Sequence, residues 1–518
     1  MHRGTVKIGI NARATMNAQS PMTSAGMEQC YSGQQSLIKS VLLFFSAFAL
    51  YFFTHSPALD EIDAVQFAMG VRSFDLWHHQ PHPPGYPLFI FLGWLGTKLF
   101  HTGPESSLYC VSALSGGLFI AAWFSIIRVQ FSEKLAWWVA ISLLITPIVW
   151  MTATKALTDT LAAGFVSAEL LAGICFLKQK RSGLLVLAAL MGAAAAGTRP
   201  RLFPVVALIL GIPLKKASAN AKTWCFSYTL LLAGCLIWLF PMWYIQAQLR
   251  PSESFWRVYP ELVYSQWRWR LDRPSVYIGA GDWSPRYLAI RLAEHILGWF
   301  GLGFGFLQSP AVLVLGAVIA LFGLVTYLFS RRGLEDRNFW QFRTPWALLH
   351  ITIIFVCLGG KQRYYLIIYP LLLVALMRAF LQIRTPWNWS ALALPALLLY
   401  ITIPAAIQNH REEAPPVRLV RYLEQLYPPP QRKNVVLLFV NVWRNAEWYA
   451  PEFKTFRDIP PPGELPEVLK GAAAVYTDDA KAPLPEGWRR VPLATFQRSI
   501  IIHAKHRSLT LFLIDRHS

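Results

Sequence analysis

Directly behind its first long apolar run the chain places three carboxylates, Asp60, Glu61 and Asp63, and it follows them with a stiff turn, His82-Pro83-Pro84-Gly85-Tyr86-Pro87-Leu88. Charge held against a bilayer without a solubility role costs free energy, so such acids are candidates for function. A carboxylate there can take the proton from an acceptor hydroxyl as that oxygen attacks. A second carboxylate close by can tune the first or share a hard cation. As plain structure, the same acids suit a helix start after Pro57, where the helix dipole favours negative charge. The prolines fix φ and block a continuing helix, and Gly85 permits a tight bend. The turn would launch the next helix and hold His82 near the acids; an ordinary loop-to-helix junction would look the same.

Four further clusters could carry chemistry. Lys155 and Asp159, in Thr154-Lys155-Ala156-Leu157-Thr158-Asp159, could meet a phosphate and orient an acceptor or a metal; alternatively Thr158 or Asp159 caps a helix. Arg199 and Arg201, flanking Pro200, offer fork geometry suited to a phosphate, or bind lipid headgroups. Lys361, Arg363 and Tyr364 open a late apolar segment. Preorganised cations there would stabilise negative charge on a bound group, or the trio is an interfacial anchor. The segment 252–300 interleaves Trp256, Trp267, Trp269, Trp283 and Trp299 with arginines, a pattern equally suited to sugar stacking and to an aromatic belt; no residue in it is assigned. His78, His79 and His82 match no zinc signature. A weakly held Mg2+ or Mn2+ stays open, with no metal ligand assigned.

The elements that position these residues lie in a membrane. Of 518 residues 54% are hydrophobic and only 15% charged, against roughly 25% charged in soluble domains. The apolar residues come in long blocks, as in a polytopic membrane protein. The formal charge of +20 sits in short clusters between these blocks, without the continuous basic face nucleic acid needs, so nucleic acid is excluded as a partner. The six cysteines form no CxxC pair and read as small core residues. Eleven spans are expected, at 37–53, 108–127, 135–151, 160–177, 184–197, 202–214, 224–245, 311–329, 345–358, 364–379 and 389–407. The short apolar segment 86–100 is expected as a re-entrant or surface helix in the first external loop. If it does not cross, the basic clusters at 128–134, 178–181, 215–222, 331–332 and 378–384 share one side with the N-terminal tail, as the positive-inside rule prefers. The candidate residues above then gather on the opposite face. Residues 1–36 are expected as a disordered cytoplasmic tail, 37–409 as the membrane domain, and 410–518 as a small extracytoplasmic α/β domain. Its strands are expected near 434–441, 472–477, 499–503 and 509–515, with a helix at 417–427.

Acids after the first span, then HPPGYPLFIFLG, then Val111-Ser112-Ala113-Leu114, resemble the protein O-mannosyltransferase-like members of glycosyltransferase family 39, over roughly residues 60–214. The resemblance implies a GT-C membrane enzyme with a polyprenyl-phosphate-linked sugar donor and a protein, glycan or lipid acceptor. By position it implies Asp60 as catalytic base, with Glu61 or Asp63 in support, and Asp159 as the second acid of such enzymes. Arg199, Arg201, Lys361, Arg363 and Tyr364 would then face the donor phosphate, with Lys155 and His82 beside them. Inversion at the anomeric carbon and a bacterial plasma (inner) membrane are expected. A transporter or lipid flippase, which usually carries polar residues at the bilayer midplane, and an inactive membrane scaffold are the rival readings.

Overall fold

The computed structural model describes residues 24–271, 334–357, 362–382, 390–457, 463–481, 486–498 and 508–516, together with positions 284, 285, 288, 289, 292, 295, 460, 461 and 484. Its helices are α1 (Ser24–Phe53), α2 (Ile62–Arg72), α3 (Pro87–Phe100), α4 (Pro104–Gln130), α5 (Glu133–Leu144), α6 (Pro147–Ala153), α7 (Asp159–Gln179), α8 (Ser182–Thr198), α9 (Phe203–Lys216), α10 (Ala221–Leu249), α11 (Phe255–Leu271), α12 (Leu334–Cys357), α13 (Tyr369–Gln382), α14 (Ser390–Arg411), α15 (Pro415–Leu426) and α16 (Trp443–Tyr449).

Among the described residues, Gln35–Phe53 of α1 and the helices α4, α7 and α10 are long and apolar enough to cross a membrane, and the bent pair α5–α6 makes a fifth if read as one span. The sequence expectation of eleven spans thus meets several shorter helices. The expected span 135–151 breaks by 58° between α5 and α6, because Pro147 has no N–H to continue the ladder and its ring crowds the preceding turn. The expected span 364–379 starts as helix only at Tyr369, with Pro370 in the first turn, where a proline is tolerated; residues 362–365 form a separate 3-10 turn. The segment 311–329 lies outside the described residues. Upstream, α1 starts at Ser24, before the expected boundary at 36. A helix nucleated by the apolar run extends outward at little cost through Ala25, Met27, Glu28 and Gln29. The first-loop helix α3 has 14 residues, about 21 Å at 1.5 Å per residue, short of the roughly 30 Å hydrocarbon core.

The bundle core forms where α4 and α7 pack between α1 and α8. Tyr51, Phe119, Trp123, Phe124, Val166, Leu170, Ala188 and Ala196 are buried there. The alanine-rich face of α8 lets its backbone approach closely, as small residues do between membrane helices. On the outside, Leu37, Leu42 and Phe45 of α1 and Leu236, Ile237 and Phe240 of α10 are exposed, the apolar surface a bilayer would cover. Charge is not wholly excluded from the spans. Glu169 of α7 is fully buried, and neither carboxylate oxygen has a hydrogen-bond partner among the described residues. It packs against Gly192 of α8, where an added Cβ would lie 3.0 Å from its Oε1.

The proline turn is sharper than a simple junction. Gly85 has φ +101°, and an added Cβ would meet Met242 Sδ at 2.9 Å, so both the conformation and the close approach of α10 require glycine. Tyr86 is left-handed and Pro87 opens α3, the helix position where proline's missing N–H costs nothing.

Beyond α14 the chain builds a mixed sheet, β1 (Val435–Leu438), β2 (Lys454–Phe456), β3 (Ala474–Thr477), β4 (Trp488–Gln497) and β5 (Ser508–Arg516), in the order β2-β1-β3-β5-β4. β1 runs parallel to β2 and β3, while β5 is antiparallel to β3 and β4. Side chains alternate across the strand. Val435 and Leu437 face Leu419, Val420 and Leu423 of α15 together with Val442 and Ala446, whereas Val436 and Leu438 face Leu465, Leu469 and Ile514. The sequence reading found β1, β3, β5 and α15. It missed the three-residue β2 and also β4, whose Pro492 argues against a strand; the structure tolerates that proline on the sheet edge, beside a register shift at Pro492/Ala494. The expected strand 499–503 lies outside the described residues.

Candidate active site

Helix α2 begins at Ile62, which leaves Asp60 and Glu61 in the turn before it and Asp63 in its first turn. Glu61 occupies the N-cap position without capping it, and Asp60 is only 4% exposed. These are not solvated helix-start acids. Their partners come from three other segments at the same end of the bundle.

The first segment is the turn between α6 and α7. Its buried Lys155 donates from Nζ to Asp60 Oδ2 at 2.6 Å and lies 3.7 Å from Glu61 Oε1. Asp159 is the first residue of α7, and Thr158, at the N-cap position, makes no capping bond. The Thr158 hydroxyl instead accepts from Arg199 Nε at 3.0 Å. The second segment follows α8, which ends at Thr198 because Pro200 disfavours helix at the residue before it. There Arg199 Nη2 pairs with Asp159 Oδ2 at 2.5 Å. The third is the 3-10 turn 362–365. Arg363 donates from Nη1 to Glu61 Oε2 and from Nη2 to Asp63 Oδ2 at 2.5 Å, and its Nε lies 3.7 Å from Asp159 Oδ2. Burial opposes the charge on Arg363, but Glu61, Asp159 and Asp63 outweigh it and hold the guanidinium well above the usual arginine range.

Tyr364 lies at the centre of the cations. The guanidinium carbons of Arg201, Arg199 and Arg363 stand 4.6, 5.6 and 5.7 Å from its ring centroid. Arg201 differs from the other two. No carboxylate pairs with it directly among the described residues, and its Nε is buried without a hydrogen-bond partner. Burial and the neighbouring Arg199 push its pKa down to about 10, partly countered by Tyr364, Tyr86 and Asp159. Among the described residues the cluster holds four carboxylates (Asp60, Glu61, Asp63, Asp159) against five cations (Lys155, Arg199, Arg201, Arg363, Arg498), a surplus of one positive charge.

Not every expected residue joins the ion pairs. The His82 ring bonds Gln66 Oε1 through Nδ1 at 2.7 Å and Tyr86 Oη through Nε2 at 2.9 Å, which ties the proline turn to α2. Lys361 lies outside the described residues, as do 272–283 and 296–300 of the segment 252–300, whose residues Phe255–Leu271 form α11. His295 bonds the hydroxyl of Tyr365, next to Tyr364. Among the described residues no group of three or more His, Cys, Asp or Glu side chains is placed to hold a metal. The acids are paired with cations rather than turned toward one another, so among the described residues no donor set for Mg2+ or Mn2+ is assembled.

Sequence reasoning missed the contribution of the C-terminal domain. The side chain of Arg498, just after β4, is fully buried and sends Nη1 to Asp60 Oδ2 at 3.4 Å. Tyr449 and Asn445 of α16 bond the backbone of Leu59. Nothing in the order of residues sets Arg498 apart from the nearby Arg489 and Arg490.

Part of the sequence and most of the fold are similar to known proteins. Residues 81–245 match the family described as dolichyl-phosphate-mannose-protein mannosyltransferase. No curated protein matches the chain. Among solved structures, ArnT from Cupriavidus metallidurans bound to undecaprenyl phosphate superposes with a TM-score of 0.51 at 14% identity, covering 91% of this chain and 97% of that one. Its apo state gives 0.52 at the same identity and coverage. The Archaeoglobus fulgidus oligosaccharyltransferase tethered to an acceptor peptide gives 0.50 at 13% identity, covering 85% and 69%. Over residues 81–245 the chain carries that family's signature, and over most of its length it has the fold that ArnT also adopts.

Proposed function

We propose that this protein transfers a sugar from a polyprenyl-phosphate-linked donor to a hydroxyl acceptor at the extracytoplasmic face of a bacterial inner membrane, with inversion. Asp60 takes the proton of the acceptor hydroxyl. That oxygen attacks the anomeric carbon in line, the bond from this carbon to the phosphate oxygen breaks, and polyprenyl phosphate leaves with the electron pair. Arg201, with Arg199 beside it, meets the leaving phosphate, where preorganised cations stabilise developing charge. Arg363 and Lys155 hold the acids in place. The C-terminal domain then stands on the extracytoplasmic side.

The observation that carries this reading is Arg201. Among the described residues it is the surplus cation of a cluster otherwise neutralised by ion pairs, and it holds a buried donor without a partner there. A site so charged suits an anion, and the structurally similar ArnT is a protein bound to undecaprenyl phosphate. The test gives the purified protein in nanodiscs radiolabelled undecaprenyl-phosphate sugars and a membrane extract as acceptor source. Wild type should move label to the acceptor fraction. Asp60→Asn should lower the rate about 100-fold or more and still bind undecaprenyl phosphate, while Arg201→Gln should weaken that binding. Donor binding without turnover in any variant would indicate a carrier instead.

A further inference from the structure

The residue before Asp60 is gripped on both sides of its peptide by one helix of the C-terminal domain. Leu59 N–H donates to Tyr449 Oη at 2.6 Å, and Leu59 C=O accepts from Asn445 Nδ2 at 3.1 Å. The carboxylate of Asp60 is met by the same domain from another direction. Arg498 reaches Oδ2, the oxygen that Lys155 also holds. The Arg498 guanidinium cannot swing freely. Its Nη2 donates to the carbonyls of Asn409 and Glu412 and to Asn409 Oδ1, at 3.3, 3.0 and 3.3 Å. Asn409 in turn donates to Thr154 Oγ1 at 3.4 Å, next to Lys155. Around these contacts the domain is seated broadly. Trp448 Nε1 donates to Glu105 Oε1 at 2.5 Å, Arg72 lies 3.6 Å over the Trp448 ring, and Arg444 donates to the His78 carbonyl.

We infer that the C-terminal domain is the device that aims the catalytic base: Asn445, Tyr449 and Arg498 are positioning residues that fix the Asp60 carboxylate relative to Lys155. The inference rests on the assignment of Asp60 as base. A base must come within about 2.6–3.2 Å of the proton it removes, and a misplacement of about 1 Å can cost about 100-fold in rate. Two cations on one oxygen fix where the carboxylate stands and favour its ionised form. A domain that served only to select an acceptor would have no reason to bury an arginine against this acid.

The test reads Asp60 itself and needs no turnover. A hydrophobic carbodiimide reacts with protonated carboxyl groups. Its modification of Asp60 is followed by mass spectrometry across pH in full-length protein in nanodiscs, with thermal unfolding as the check on folding. Among the described residues the charged or titratable groups shown to face Asp60 are Lys155, Arg498, Glu61 and the phenols of Tyr109 and Tyr449, and only Arg498 is altered first. Arg498→Gln should move the half-modification pH upward by about one unit, and Arg498→Lys, which keeps the charge, should restore most of the shift. A folded Arg498→Gln whose profile overlies the wild type would overturn the inference. Should Arg498→Gln not fold, Tyr449→Phe, which deletes only the hydroxyl that accepts from Leu59, takes its place. It should shift the profile in the same direction by less, and a coincident profile again overturns the inference. A shift seen in a protein that transfers no sugar would sink the transferase reading and leave the clamp standing. Turnover with no shift would do the reverse.

Discussion

Arg363 carries more of the site than any other side chain, because one planar fork collects carboxylates from two segments: Glu61 and Asp63 from the first loop and Asp159 from the start of α7. Removing one member of a buried ion-pair group leaves its partners charged and uncompensated, which costs about 3–5 kcal/mol. Arg363→Ala should therefore lower the thermal midpoint clearly. Arg363→Lys should recover little of the loss, since an ammonium is a point charge and cannot reproduce the fork; differential scanning fluorimetry of the two variants decides it. These residues were legible in the sequence because charge at a membrane surface needs a reason. Their pairing was not. The sequence reading grouped Arg363 and Arg201 alike with the donor phosphate; here the charge of Arg363 is shared among three acids, whereas no carboxylate pairs directly with Arg201 among the described residues. Which acid meets which cation depends on distances between segments hundreds of residues apart, and one sequence without geometry does not contain them.

Among the elements, α16 is the short one with a large role. Its Trp448 is 8% exposed, bonds Glu105 of α4 and stacks under Arg72 of α2, so seven residues of helix join the C-terminal domain to two membrane-side helices. Trp448→Ala should cost about 3–5 kcal/mol and loosen the domain; limited proteolysis, with faster cleavage between the membrane domain and the sheet, measures it. The long helices were legible from apolar periodicity and length. Helix α16 was not, because Trp443-Arg444-Asn445-Ala446-Glu447-Trp448-Tyr449 is too short and too mixed to announce itself, and it is helical through its packing on Ile62 and the sheet. The breaks at Pro147 and before Tyr369 follow from proline chemistry that the span-by-span reading had smoothed over. The break before Tyr369 frees Arg363 and Tyr364 to face the site, and the end of α6 at Ala153 does the same for Lys155.

For the molecule as a whole, the question is how firmly its two parts stay together, and His79 lies at that junction. Burial first, then Arg457 and Arg444 of the C-terminal domain, press its pKa from 6.5 down to about 4. The undocked or unfolded ring binds a proton before the docked ring does. Stability therefore rises with pH between about 4 and 6.5 and is level with respect to this group above that window. His79→Gln should flatten this part of the profile, and thermal unfolding from pH 4 to 7 for both proteins tests it. The contact between Asp60 and Arg498 spans 438 positions. A ribosome adding roughly 5–20 residues per second needs on the order of a minute to cover that distance. During that time the acid of the first loop has no Arg498 to meet. On the function proposed above, a chain still being made therefore carries an unfinished base until its C-terminal domain has folded against the first loop.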